Sequence, residues 1–375
     1  MQGIKKKVIV SVINDLVTDQ RVEKTCRLLA DMNFEVTLVG RIKTDSLPMP
    51  SKPYKTKRMR LLFEKGPLFY AEYNIRLFLF LLFRKSSLLI SNDLDTLLPN
   101  YLIHRLSKTP IVYDSHELFT ETPEVINRKF VKSVWVKIES NILPKLKDVI
   151  TVSGSIAEIF SEKYGIDVKV VRNIPPLRKV KNIKARKDIN LPEDKKILIL
   201  QGSGINIQRG AEELIDAMQY LNNHLLLVIG GGDVISSLKQ QSTTLKLDNK
   251  VWFIPKQTFE NLYQYTVNAN LGLTLDKDTN LNYRFSLPNK LFDYIHAGIP
   301  ILASPLVEIS KTISKYNIGT TIDNHDPKHI AEKIENTLKN EKQLSIWKEN
   351  LKFAAEDLSW DKEKDVLKMI YAQYA

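Results

Sequence analysis

The amino-acid sequence predicts an α/β protein made of two doubly wound, Rossmann-like domains facing each other across a cleft. Three observations predict it. Apolar runs of strand length alternate with helical stripes along nearly the whole chain, which is the pattern of βαβ units and parallel sheets. The same grammar, a strand running into a polar or glycine-rich turn and then a helix, restarts at Lys196. The 375 residues exceed one comfortable core and suit two domains of about 150–200 residues each. The expected boundaries are 1–176 for the first domain, a short basic linker at 177–190, and 191–360 for the second.

Composition narrows the class further. Hydrophobic content of 43% and charged content of 26% are globular values. The only cysteine, Cys26, shares a helical stripe with Val22 and Leu29 and reads as a small core residue. Disulfides and cysteine-rich metal sites are excluded by count. No secretory leader is legible in Met1–Lys7, so the cytoplasm is the expected compartment, with the inner face of the cell membrane as an extension of it. Net charge is +12, and residues 1–90 carry 17 Lys/Arg against 8 Asp/Glu. That asymmetry points to an anionic surface as partner.

Lys7–Ile13 is the first strand, followed by a polar loop and a helix with Val22, Cys26, Leu29 and Ala30 on its buried face. Phe34–Arg41 is the second strand. The first loop lies where open α/β sheets bind ligands, so Asp15, Thr18, Asp19 and Arg21 are candidate contacts. Capping of the helix by Thr18 or Asp19 explains the same residues equally well. Lys52, Lys55, Lys57, Arg58 and Arg60 then lead into an aromatic and leucine-rich stretch ending at Arg84. Its apolar run, Leu77–Phe83, is far below the ~20 residues needed to span a bilayer. A basic flank beside such a stretch fits docking on anionic lipid, and a core helix with solvated lysines is the bland alternative. Nucleic acid is not expected, because no DNA or RNA motif accompanies the charge.

Ser87–Asn92 is the next strand, and Asp93 and Asp95 follow it. Two carboxylates at that spacing occur as cation ligands, but just before a helix N-capping is the simpler reading, and no metal is expected. Pro110–Phe119 is another strand ending in Asp114, His116 and Glu117. A histidine there can orient a substrate hydroxyl. In the second half, Lys196–Gly202 runs into Gly202-Ser203-Gly204 and on to Arg209-Gly210. Glycines let backbone approach a pyrophosphate and Arg209 can neutralise it. His224–Ile229 runs into a second glycine turn containing Gly231. Asp276, Asn282 and Tyr283 fill the loop before the most informative run, Ser286–Ser304. That run predicts a helix with Ser286 as N-cap, Leu287 and Pro288 in its opening turn, Gly298 as its left-handed end and Pro300 as a stop. Ser286, Asn289, Lys290 and Asp293 then share one face near the positive end of the helix dipole, which suits a phosphorylated, hydroxyl-rich ligand.

The 286–304 run resembles the donor-site motif of the family-4 retaining glycosyltransferases, which have the GT-B architecture. Asp293 matches one acidic position of that motif, while the position of the family's other glutamate holds Phe285. The openings at 10–41 and 111–119 resemble the same family, with His116 at the position of its cleft histidine and Arg209 at its diphosphate-gripping basic residue. Ser203 stands where many members carry an arginine. The resemblance implies that the last helix, 361–375, packs back on the first domain. It implies transfer of a sugar from a nucleotide-diphosphate sugar, UDP-linked by preference, with no cofactor and no metal. A lipid-linked glycan or surface polysaccharide is the implied acceptor, held by the first domain. His116, Arg209, Lys290 and Asp293 carry the chemistry in that reading. A nucleotide-sugar epimerase of the same fold and a non-catalytic membrane-associated assembly subunit are the competing readings.

Overall fold

A computed structural model describes residues 5–17, 19–44, 46–177, 180 and 182–375. The chain divides into two compact units, 1–173 together with 363–375, and 174–362. The first unit contains β1 (Lys7–Asp15), α1 (Gln20–Asp31), β2 (Glu35–Ile42), β3 (Lys55–Arg60), α2 (Gly66–Leu82) and β4 (Leu88–Asn92). It continues with α3 (Leu94–Ser107), β5 (Ile111–Ser115), α4 (Pro123–Ile126), α5 (Lys129–Ile142), β6 (Asp148–Thr151), α6 (Gly154–Tyr164) and β7 (Val168–Val170). The strands form one parallel sheet in the order β3-β2-β1-β4-β5-β6-β7. Strand order reverses between β1 and β4, so the loops leaving β1 and β4 splay apart there and open a crevice at the carboxyl edge.

The second unit contains β8 (Lys196–Gly202), α7 (Ala211–Ala217), β9 (His224–Gly230), α8 (Ile235–Thr244), β10 (Val251–Ile254), α9 (Phe259–Val267) and β11 (Leu271–Thr274). After these come α10 (Leu281–Arg284), α11 (Asn289–Ala297), β12 (Ile301–Ala303), α12 (Val307–Tyr316), β13 (Gly319–Thr321), α13 (Pro327–Lys339) and α14 (Glu341–Asp357). Its sheet is also parallel, ordered β10-β9-β8-β11-β12-β13 and reversing between β8 and β11. Alternate residues of β8 point to opposite faces. Ile197 and Ile199 join the core beneath α11 and α14, whereas Leu198 and Leu200 join the core beneath α7 and α13. Burial on both faces explains why these strands read as unbroken apolar runs.

Helix α15 (Trp360–Ala372) begins in the second unit, but its residues from Glu363 onward belong to the first. There Arg172 donates from its backbone N–H to Glu363 Oε2 at 2.6 Å and from Nε to Glu363 Oε1 at 2.9 Å. The break between units falls at Asn173/Ile174, three residues ahead of the expected end at 176. The stretch expected as a linker is not a free tether. Leu177 and Ile189 pack on the core of the second unit, and Arg186 donates to the Asn268 carbonyl at 2.8 Å and to Asn270 Oδ1 at 2.8 Å.

Candidate functional site

At the carboxyl edge of the first sheet, three of the predicted contacts take part in bonds that hold the fold. Asp19 is the N-cap of α1 and accepts from the Val22 N–H at 3.1 Å. Arg21, 6% exposed, forks onto Asp114: its Nη2 donates to Oδ1 at 2.6 Å and its Nε to Oδ2 at 3.2 Å. Its Nη1 donates to the Val171 carbonyl at 2.8 Å, tying α1 to β5 and to the end of β7. Asp15 accepts from Arg58 Nη2 at 3.2 Å and from Ser46, anchoring β3 and the loop before it. These residues, read as candidate ligand contacts, hold elements together. Thr18 lies outside the described residues.

His116 follows β5 and is held on both ring nitrogens. Nδ1 lies 3.2 Å from Asp93 Oδ2, and Nε2 lies 3.1 Å from Asn92 Oδ1 and 3.6 Å from Asp114 Oδ2. Its backbone N–H also donates to Asp93 Oδ1 at 2.7 Å. Burial alone would lower its pKa, but the Asp93 and Asp114 carboxylates outweigh it and raise it to about 9. At neutral pH the ring is therefore an imidazolium fixed by carboxylates. Asp93 precedes α3 at φ 58° without a side-chain cap bond, so its carboxylate serves His116 and not the helix. Asp95, beside it, is 5% exposed, and burial pushes its carboxyl well up.

The second unit assembles a cationic pair. Asp276, fully buried just after β11, accepts from Arg209 Nη1 at 3.2 Å on one oxygen and from Lys290 Nζ at 3.3 Å on the other. The Arg209 guanidinium also lies over the Tyr283 ring, 4.5 Å from its centroid, and its buried Nε has no partner among the described residues. Lys290 stands in the first turn of α11, where burial lowers its pKa against the pull of Asp276. One carboxylate beneath two cations leaves a net positive charge at a helix N-terminus. Gly210 makes this approach possible: at φ +70° it packs so tightly that a Cβ would sit 2.1 Å from the Leu275 carbonyl.

Helix α11 starts two residues later than the sequence suggests. Pro288, not Ser286, is its N-cap, and no side chain caps it. Ser286 is spent on the preceding turn, where its Oγ donates to the Tyr283 carbonyl at 2.9 Å. Leu287 packs against the core and Asn289 is exposed at the helix start. The open N–H groups of the first turn thus sit beside Lys290. Asn282, on the short α10, is 8% exposed.

One turn along α11, Asp293 accepts from Gln201 Nε2 at 2.9 Å, and Gln201 Oε1 in turn accepts from Thr266 Oγ1 at 2.8 Å. Burial raises the Asp293 pKa to about 6, against the opposing Gln201 bond. Asp293 and Gln201 line a pocket with Phe259, Leu262 and Tyr263 of α9 and His296 of α11. Behind it, Tyr294 locks α11 to the sheet by donating to the Ile199 and Leu273 carbonyls, each at 3.1 Å. The glycine turns meet at the strand ends: Gly231 N–H donates to the Gly202 carbonyl at 3.1 Å, while Ser203 and Gly204 are exposed. Gln201, Asn92 and Asp93 were not predicted as site residues. Their only sequence signal is position, since each ends or follows a strand.

Comparisons with known proteins bear on both units. Residues 181–352 match the family model described as glycosyl transferases group 1, and residues 19–176 match that of glycosyltransferase family 4. No curated protein matches the sequence. Among solved structures, sucrose-phosphate synthase from Thermosynechococcus elongatus is 16% identical with a TM-score of 0.81, covering 98% of this chain and 99% of that one. Anabaena HepE in complex with UDP and glucose is 13% identical with a TM-score of 0.75, covering 98% and 100%. WaaG, a glycosyltransferase involved in lipopolysaccharide biosynthesis, is 15% identical with a TM-score of 0.71, covering 97% and 99%. At these identities the likeness is one of fold: two parallel α/β sheets of seven and six strands, the GT-B architecture.

Proposed function

The chain belongs to the family-4 glycosyltransferases, and from that premise we propose that it transfers a sugar, with retention, from a UDP-sugar to a lipid-linked or surface-polysaccharide acceptor. The observation that carries the donor assignment is Asp276 buried beneath Arg209 and Lys290 at the open N-terminus of α11. Those cations are already desolvated and aligned, so they meet the charge that builds on the departing diphosphate without reorganising. They supply the positive charge for which some transferases use a metal, so the reaction proceeds without one. Asp293, one turn further on, takes the ribose hydroxyls. HepE, a structural neighbour, is seen with UDP and with UDP-glucose, which supports the choice of UDP. In the first unit His116 acts as a fixed cation rather than a hydrogen-bonding hand, since both its ring nitrogens are engaged.

A thermal-shift panel of UDP-, GDP-, ADP- and dTDP-sugars on the wild type and on Asp293→Asn tests this. A ligand at 100 times its dissociation constant stabilises by about 2.7 kcal/mol. Stabilisation by a UDP-sugar, weakened in Asp293→Asn, is expected. A flat panel would sink the transferase reading in favour of a non-catalytic assembly subunit.

A further inference from the structure

We propose that the outer surface of the α2–α3–α5 layer of the first unit docks on an anionic lipid bilayer. Helix α2 carries two apolar stripes where a surface helix needs one. Phe69, Tyr73, Leu77 and Leu81, spaced four apart, are buried against the sheet. Ile75, Leu79, Leu82 and Phe83 form a second stripe that faces outward, with Phe83 80% exposed. The neighbours repeat the arrangement. Helix α3 packs against both α2 and α5. It exposes Leu102 and Leu106, and α5 exposes Phe130 and Val134, each pair one turn apart. Scattered surface leucines are ordinary, but apolar positions aligned on three adjacent helices are not.

Charge decides what covers this face. The segments 61–85, 101–108 and 128–141 carry 10 Lys/Arg against 3 Asp/Glu, and one of those acids, Glu139, is buried. Arg84, Arg105, Lys108 and Lys129 are exposed around the apolar stripes, while Arg76 beside them pairs with Glu72 at 2.8 Å. Apolar side chains ringed by cations match an interface with anionic headgroups above an acyl layer. Among the described residues no helix is long and apolar enough to cross a membrane, so the contact is a surface one.

The structure also moves the docking face away from the basic flank at 52–60. Lys52 pairs with Glu23 at 2.7 Å, Lys55 with Glu35 at 2.6 Å and Arg58 with Asp15 at 3.2 Å, so most of that charge is neutralised within the unit.

Co-sedimentation of the whole protein with phosphatidylcholine vesicles, with and without about one-third phosphatidylglycerol, tests the proposal. Binding is expected only to the anionic vesicles, and it weakens as salt rises. Leu79→Glu/Phe83→Glu should lower binding about tenfold or more, and Phe130→Glu on α5 should lower it independently. Lys57→Glu/Arg60→Glu on β3 and the equal charge change Lys342→Glu/Lys348→Glu in the second unit should cost far less. All the substituted positions are exposed, and an unchanged melting temperature checks each fold. No binding by the wild type, or a larger loss from the β3 pair than from the α2 pair, overturns the proposal. Nucleotide-sugar stabilisation measured on the same variants stays intact, so failure here and failure of the donor reading are separately visible.

Discussion

At the scale of single residues, the first unit depends on a histidine held charged. His116 lies between Asp93 and Asp114, and their carboxylates keep its pKa at about 9, above the ordinary value near 6.5. A raised folded pKa means that the folded chain binds the proton more tightly than the unfolded one. The stabilisation is therefore complete below pH about 6.5 and is lost as pH rises through 9. Its size is on the order of 3 kcal/mol at the low-pH limit. The unfolding free energy of the wild type should fall across that window relative to that of His116→Gln in urea titrations, since every other titrating group is common to both. Equal slopes in the two proteins would mean that the ring is not held as a cation. Little of this was legible in the sequence. The strand-end position of His116 and Asp114 could be read, but their partners Arg21, Asn92 and Asp93 lie 23–93 residues away along the chain. Arg21 illustrates the difficulty, because a basic residue in a strand-end loop looks the same whether it awaits a ligand or forks onto a buried Asp114.

At the scale of elements, the second-unit site depends on how closely backbone can approach backbone. Gly210 holds φ +70° with its α-carbon against the Leu275 carbonyl, bringing Arg209 to Asp276. Gly204, in the same loop, has no such constraint, and the nearest atom to a Cβ there is 3.7 Å away. Gly210→Ala should destabilise the protein by at least about 1–3 kcal/mol through left-handed strain and overpacking. Gly204→Ala should be close to neutral in the same thermal unfolding measurement. If both melt like the wild type, the loop does not owe its place to Gly210. The run around α11 shows what local pattern can and cannot say. Gly298 ends the helix at φ +70° and β12 follows, both as the glycine and proline signals imply. The helix start was misplaced because Ser286 is a good cap in isolation, yet the short α10 that spends it has only four residues and leaves no periodic trace. The 177–190 stretch was read as a tether for a similar reason, since the Arg186 contacts reach 82 and 84 residues ahead.

At the scale of the whole molecule, the chain begins the first unit, builds the second and returns to finish the first. Helix α15 supplies buried side chains to a core formed more than 190 residues earlier: Leu367 is 1% exposed, Ile370 6% and Tyr371 0%. Tyr371 lies beside the Arg21–Asp114 pair, and Glu363 takes both the backbone and the guanidinium of Arg172. Ending the chain after Lys362 would expose this apolar surface, at roughly 1.5–3 kcal/mol for each large side chain lost. It would also leave Arg172 without its carboxylate. Against a typical domain stability of about 5–15 kcal/mol, that loss is large enough to unfold the first unit on its own. The truncated protein should therefore show two transitions in place of one. Hydrogen exchange should report β1, β4 and β5 as unprotected while β8 and β11 remain protected. Because Arg209, Asp276, Lys290 and Asp293 all lie in the second unit, a nucleotide sugar should still raise the upper transition. Uniform loss of protection in both sheets would instead mean that the second unit cannot stand without the first. Unchanged protection in the first sheet would remove α15 from its core.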